Sequence, residues 1–332
     1  MVVVADKNGS SPVYRGGIFV NLCLSNFFVM MTRLSSAPTP IAVQSPLECQ
    51  TWRWRDHQIC YTVQGDGIPL VLIHGFGASV GHWRKNITPL AQAGYRVYAL
   101  DLLGFGASDK PILDYSLDLW LEQLTAFWQE QIQQPAVWIG NSIGALLALM
   151  VLAQRSELAI SGVLLNAAGG LNHRPEEMPF PLNVIMGSFT RLVASPLVGP
   201  ILFNQVRRKS RIRQTLYQVY GDRQAVTDEL VEMLYQPSCH PNAAQVFASI
   251  LTAPAGIPPK TLLEQVEQPL LVLWGDKDPW TPISASGLYQ QRAKMDPLSA
   301  FSALPGAGHC PHDEQPDRVN QQIIDWLATV VK

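Results

Sequence analysis

The chain has 332 residues, 47% of them hydrophobic and 15% charged, with a formal net charge of −2. That composition excludes a disordered or coiled-coil chain, and the 25 prolines fit a compact enzyme with many surface loops. The charge balance argues against a nucleic-acid binder, which shows a basic patch or stripe, and no run of like charges suggests a charged tail.

The first 47 residues read as a separate N-terminal extension. Ile18 to Met31 is apolar, but it is shorter than the ~18 residues of a spanning helix and carries two asparagines. With Arg15 before it and Ser35-Ser36-Ala37 after, it faintly resembles a signal peptide. The favoured expectation is a start of synthesis at Met30 or Met31. Ser35 to Pro46 is a linker by composition.

From Thr51 the pattern turns regular. Thr51 to Trp54 and Gln58 to Val63 predict two strands turning at Asp56. Leu70 to Ile73 and Arg96 to Leu100 are short unbroken apolar runs, as strands buried on both faces require, with helical sequence from Trp83 to Ala93 between them. A helix is predicted over Leu117 to Gln131, then a buried strand over Ala136 to Ile139 and a helix ending at Ala153. Val163 to Asn166, Leu270 to Trp274 and Ala300 to Leu304 continue the series. Strands alternating with helices predict a mostly parallel sheet covered on both faces.

The series breaks from Gly170 to Glu267, where Leu182 to Val193, Leu197 to Val206 and Arg213 to Tyr220 are helix-like stretches among prolines. That segment is far too long for a plain loop. It is expected to be a helical cap over residues 170–267, inserted into a core of residues 48–169 and 268–332. Its apolar runs read as core packing, as a lid over an apolar pocket, or as a face that touches membrane. The five cysteines, Cys23, Cys49, Cys60, Cys239 and Cys310, lack metal-ligand spacing and read mostly as buried thiols in a reducing compartment.

Gly140-Asn141-Ser142-Ile143-Gly144 lies between a buried strand and a helix, the setting of a nucleophile elbow. Glycines flank the serine because larger neighbours would collide in so tight a turn. A serine hydroxyl needs a base to take its proton, so an acid and then a histidine should follow in the chain. Asp278 and His309 meet that order, both on loops beyond strand ends, where open α/β sheets place their sites. Asp276 is a rival of Asp278, but the Gly-x-x-Asp spacing clears the strand end for Asp278. His312 rivals His309, whose preceding glycines suit a tight loop presenting a side chain. His312 is expected at the surface or just behind the site. No acid follows the strand ending near Leu165, where Asn166 stands instead.

Two backbone N–H groups are expected to form an oxyanion hole: that of Ile143 and that of Phe76 in His74-Gly75-Phe76-Gly77. His74 itself reads as structural. Gly104-Phe105-Gly106 lacks the third glycine of a dinucleotide loop. No metal or organic cofactor is called for.

From about Glu48 to Val331 the chain resembles the α/β-hydrolase superfamily, and within it the chlorophyll dephytylase and pheophytinase-like hydrolases of plants and cyanobacteria. The resemblance is carried by His74 to Ser79, His82-Trp83-Arg84, Asp101 to Gly106 with Ser108-Asp109-Lys110-Pro111, Gly140-Asn141-Ser142, Trp274 to Pro282 and Gly308 to Pro316. Ala145 departs from it, since this subgroup more often has a second glycine there. Serine at 142 argues against haloalkane dehalogenase or epoxide hydrolase chemistry.

The resemblance implies an ester with a long apolar alcohol, such as the phytyl ester of chlorophyll or pheophytin. It further implies a place in the cytoplasm or peripheral to a membrane (the thylakoid in a phototroph). Two alternatives stay open. A carbon–carbon bond hydrolase with the same triad would want an inward cation, from Arg174, Arg191 or Arg207, for a substrate carboxylate. A non-catalytic binding protein on this fold is the other.

Overall fold

A computed structural model describes residues 48–172, 174 and 190–331. The N-terminal 47 residues, with the apolar stretch Ile18 to Met31, lie outside the described residues, as does most of Leu182 to Val193. Eight strands form one sheet: β1 (Gln50–Trp54), β2 (His57–Gln64), β3 (Ile68–Ile73), β4 (Tyr95–Leu100), β5 (Ala136–Asn141), β6 (Ala159–Leu165), β7 (Leu270–Gly275) and β8 (Ala300–Leu304). Their order is β1-β2-β4-β3-β5-β6-β7-β8. The hairpin β1–β2 and the pair β2–β4 are antiparallel, and every later pairing is parallel. This is the mostly parallel sheet covered on both faces that the alternation of strands and helices predicts.

The unbroken apolar runs follow from burial on both sides. Leu70 and Leu72 of β3 join one core with Val97, Val137, Ile139 and Leu273, while Val71 and Ile73 join another with Tyr98 and Trp138. Alternate residues point to opposite faces, so a strand covered twice has no polar position left. Helices supply the covers: α1 (Ile87–Gln92), α2 (Leu117–Phe127) and α3 (Ile143–Gln154). Every residue of α3 from Ile143 to Leu152 is buried, which explains a helix apolar all round.

Between β6 and β7 the described residues contain helices and no strand: α4 (Gly199–Val206), α5 (Lys209–Val219), α6 (Asp228–Tyr235), α7 (Ala243–Thr252) and α8 (Pro259–Leu263). After β7 come α9 (Gly287–Met295), α10 (Pro311–Glu314) and α11 (Pro316–Val330). α11 packs Val319, Ile323 and Leu327 against the sheet at the four-residue spacing of one helix face. The sequence reading stopped at β8 and did not anticipate it.

One expectation is corrected here. Cys49 and Cys60 are not separate thiols but are joined in a disulfide. Thr51 lies opposite Cys60 in the β1–β2 hairpin, which brings Cys49 alongside. That proximity comes from strand pairing and not from any recognisable cysteine spacing. Cys239 and the buried Cys310 are free.

Candidate active site

Ser142 sits between β5 and α3 with φ 59° and ψ −117°. A non-glycine residue held there carries strain of about 1–3 kcal/mol, and such outliers cluster at functional sites. The flanking glycines are dictated by contact. A Cβ on Gly140 would stand 2.1 Å from the Gly144 backbone, and one on Gly144 would stand 2.2 Å from the Ile73 carbonyl oxygen. No larger residue fits at either place without moving β3 or α3. The Ser142 hydroxyl is buried and makes no hydrogen bond to a described residue.

His309 and Asp278, 31 residues apart in the chain, meet with Nδ1 of the histidine 2.6 Å from Oδ2 of the carboxylate. The carboxylate is surrounded by donors. Oδ1 accepts from the backbone N–H of Trp280 at 2.7 Å and of Thr281 at 3.1 Å. Oδ2 accepts from Asn166 Nδ2 at 2.6 Å and from the Thr281 hydroxyl. Burial pushes the Asp278 carboxyl up, but His309 and the Thr281 hydrogen bonds outweigh it, and the net shift is downward. The group is therefore ionised at neutral pH and fixes the proton of His309 on Nδ1, leaving Nε2 as an acceptor.

Asn166, passed over as merely not an acid, proves to hold this acid in place. Its Oδ1 accepts from the Gly275 N–H at 3.1 Å, so the side chain clamps the ends of β6 and β7 together. Its φ of 45° is one that asparagine tolerates better than most residues. Asn141 has a matching role at the elbow, donating to the carbonyl oxygens of His309 at 2.9 Å and Leu165 at 3.3 Å. The His309 N–H donates to the Val219 carbonyl at 2.8 Å, tying the histidine loop to α5.

The rival residues fall elsewhere. Asp276 is exposed and accepts from the Gly306 N–H at 2.8 Å, a turn contact. His312 is not at the surface, since it is fully buried with its ring 4.2 Å from Trp83 and 4.7 Å from His82. His74 is structural: Nδ1 lies 2.7 Å from the Gly75 carbonyl, and Nε2 accepts from the Leu102 N–H at 3.0 Å.

Ser142 and His309 line one cavity of about 220 Å³. The loop carrying Phe76 forms part of its wall, and a Cβ on Gly75 would lie 3.4 Å from Ser142 Cβ. The helices between β6 and β7 supply further wall through Phe203, Val206, Leu216, Val246 and Phe247. Of the three arginines singled out, Arg207 lines the cavity, Arg191 is exposed, and Arg174 donates to the Gly169 and Gly256 carbonyls. Cys310 also lines it, and burial pushes its thiol pKa well up, which makes it a poor nucleophile.

Behind the cavity lies a buried polar cluster that sequence reasoning missed. Asp313 is paired with Arg84 at 2.9 Å and Lys85 at 3.0 Å. It also accepts from the Tyr220 hydroxyl at 2.9 Å. That hydroxyl having spent its proton, His82 Nε2, 2.8 Å away, must donate to the phenol oxygen. The motif His82-Trp83-Arg84 thus anchors α5 to the core.

Burial lowers His74 and His82 to about 4 and pushes His312 well below its ordinary value. In the unfolded chain each would take a proton as pH falls through 6.5, whereas in the fold His74 and His82 resist until about 4 and His312 also stays neutral well below 6.5. Their stabilising contribution is therefore complete above 6.5 and lost below it. Asp101, raised by burial to about 6, and Glu314, raised by burial, oppose that trend. The three histidines outnumber the two carboxylates, so stability is expected to fall as pH drops below 6.5. Urea unfolding between pH 6.5 and 5 is expected to show that fall, and a flat profile would mean these histidines are protonated in the fold.

Residues 70–322 match the alpha/beta hydrolase family. Chloroplastic pheophytinase of Arabidopsis thaliana is 28% identical over 302 residues, an alignment covering 79% of this chain but only 61% of that protein. 2-Hydroxymuconate semialdehyde hydrolase of Pseudomonas sp. (strain CF600) is 28% identical over 275 residues, covering 80% of this chain and 88% of its own. Among solved structures, a bacterial membrane phospholipase A superposes with a TM-score of 0.67 at 26% identity, covering 86% of this chain and 87% of the other. With the family match covering strands β4 to β8, the elbow and the histidine loop, the chain belongs to the alpha/beta hydrolase family.

Proposed function

We propose that this protein is a serine hydrolase that cleaves a carboxylic ester with an apolar alcohol. The observation that carries the reading is a strained, unbonded Ser142 sharing an apolar cavity with His309, whose Nδ1 rests on the Asp278 carboxylate. In this mechanism His309 Nε2 takes the Ser142 proton as Oγ attacks the ester carbonyl. Asp278 holds the imidazole tautomer and stabilises its cation. The backbone N–H groups of Phe76 and Ile143 receive the oxyanion, each worth about 3–4 kcal/mol of transition-state stabilisation. The protonated histidine then releases the alcohol, and water cleaves the acyl-enzyme.

The likeness to pheophytinase supports a phytyl ester as substrate, and Phe76, Phe203 and Phe247 around the cavity suit an isoprenoid chain. Hydrolysis of pheophytin a and chlorophyll a, measured beside short p-nitrophenyl esters, tests this. Phytol release is expected. Turnover of the short esters alone would keep the serine chemistry and sink the phytyl assignment.

One observation favours a second reading. Arg207 lines the cavity, and among the described residues its guanidinium donates to neutral acceptors, Asn204 Oδ1 at 2.7 Å and the Ser238 carbonyl at 3.3 Å. Its charge is free to meet a substrate carboxylate, as a carbon–carbon bond hydrolase needs. Turnover of a vinylogous diketone acid with no ester activity would select that reading.

A further inference from the structure

We infer that the face formed by the helical turn 190–194, α4 and the start of α5 docks on an anionic lipid surface. Its apolar part is Leu197, 81% exposed, Ile201, 62% exposed, and Leu192, 42% exposed. Leu197 lies in the turn just before α4 and Ile201 in its first turn, while Arg207 and Arg208 follow its last residue and lead into α5. Isolated exposed leucines are ordinary, but exposed aliphatic residues grouped within a few positions of a basic segment are not.

The charge is concentrated to match. Residues 207–213 contain Arg207, Arg208, Lys209, Arg211 and Arg213 and no acid, in a chain whose net charge is −2. The overall balance concealed this cluster from the composition-based reading, which found no run of like charges. Lys209 pairs with Glu232 and Arg213 with Asp228. Arg191, Arg208 and Arg211 form no ion pair with a described residue. Guanidinium groups beside protruding aliphatic side chains are what a peripheral segment needs, the cations on lipid phosphates and the apolar tips in the acyl boundary.

Other occupants fit less well. Nucleic acid would use the arginines but gain nothing from the exposed leucines. A second copy joined through a two-fold axis would bring the same cations face to face. Peripheral contact also agrees with the absence, among the described residues, of a helix long and apolar enough to cross a membrane. The opposite side of α4 turns Phe203 and Val206 into the cavity that holds Ser142. Docking would therefore set the cavity one helix diameter, about 10 Å, from the lipid.

The inference goes beyond the ester reading and is tested without catalysis. The full chain carrying Ser142→Ala is floated with phosphatidylcholine vesicles, either plain or containing about a third phosphatidylglycerol, the anionic lipid to which basic residues respond. Binding is expected only with the anionic lipid, and it should weaken as salt rises. Arg208→Glu with Arg211→Glu should cut the bound fraction about tenfold or more. Leu197→Ser with Ile201→Ser should also release the protein, and both double variants should keep the parent's urea unfolding midpoint. Absence of flotation, or flotation unchanged in both double variants, would overturn the inference. Two further results would do the same: duplex DNA binding that depends on the arginines alone, or a dimer in light scattering that Leu197→Ser with Ile201→Ser dissolves.

Discussion

Replacing Ser142 with alanine is expected to lower hydrolysis about a millionfold, the scale on which losing a serine nucleophile registers. Fold and substrate binding should survive. The hydroxyl makes no hydrogen bond to a described residue, so its removal breaks none there, and the backbone strain belongs to the turn and not to the side chain. Stability should therefore stay within about 0.5 kcal/mol of the parent. A fluorophosphonate probe should label the parent at Ser142 and leave the variant untouched. If the parent is not labelled and turns over no ester, the protein is a binding protein on a hydrolase fold. If the variant keeps its activity, Ser142 is only the corner of a turn.

Asp278→Asn should cost about 10⁴ in kcat, because an amide cannot hold His309 in the tautomer that accepts the serine proton. The damage should be unusually complete here. Trp280 N–H, Thr281 N–H, the Thr281 hydroxyl, Asn166 Nδ2 and His309 Nδ1 all point at the two carboxylate oxygens. An asparagine has one NH₂ to place and finds a donor already facing either position. A stability loss of about 1–3 kcal/mol should accompany the kinetic one, from buried donors left without an acceptor. Asp276→Asn is the control, since that carboxylate is exposed and touches only the Gly306 N–H. Equal losses in the two variants would mean that the acid has been misassigned. Asn166→Ala should resemble a weakened Asp278→Asn, with slower turnover and a smaller loss of stability.

Much of this protein was legible along the chain. Strands buried on both faces write themselves as unbroken apolar runs, which is why β3, β5 and β7 were placed to within a residue or two. The elbow was legible because the steric demand acts between neighbours: Gly140 and Gly144 must be glycine for the turn at Ser142 to close. The chain order of Ser142, Asp278 and His309 was legible because each follows a strand whose end lies at one edge of the sheet.

What the sequence alone could not yield are contacts between groups far apart in the chain. Asn166 reaches Asp278 across 112 residues, and His82 reaches Tyr220 across 138. Neither asparagine nor tyrosine carries a local signal of such a partner, and only the packing of β6 on β7 and of α5 on the core creates it. The same holds for the Cys49–Cys60 bond, the burial of His312 and the inward turn of Arg207. Burial pattern and turn sterics act over a few residues and are written there. Polar partners converge from separate elements, so only the tertiary structure decided them.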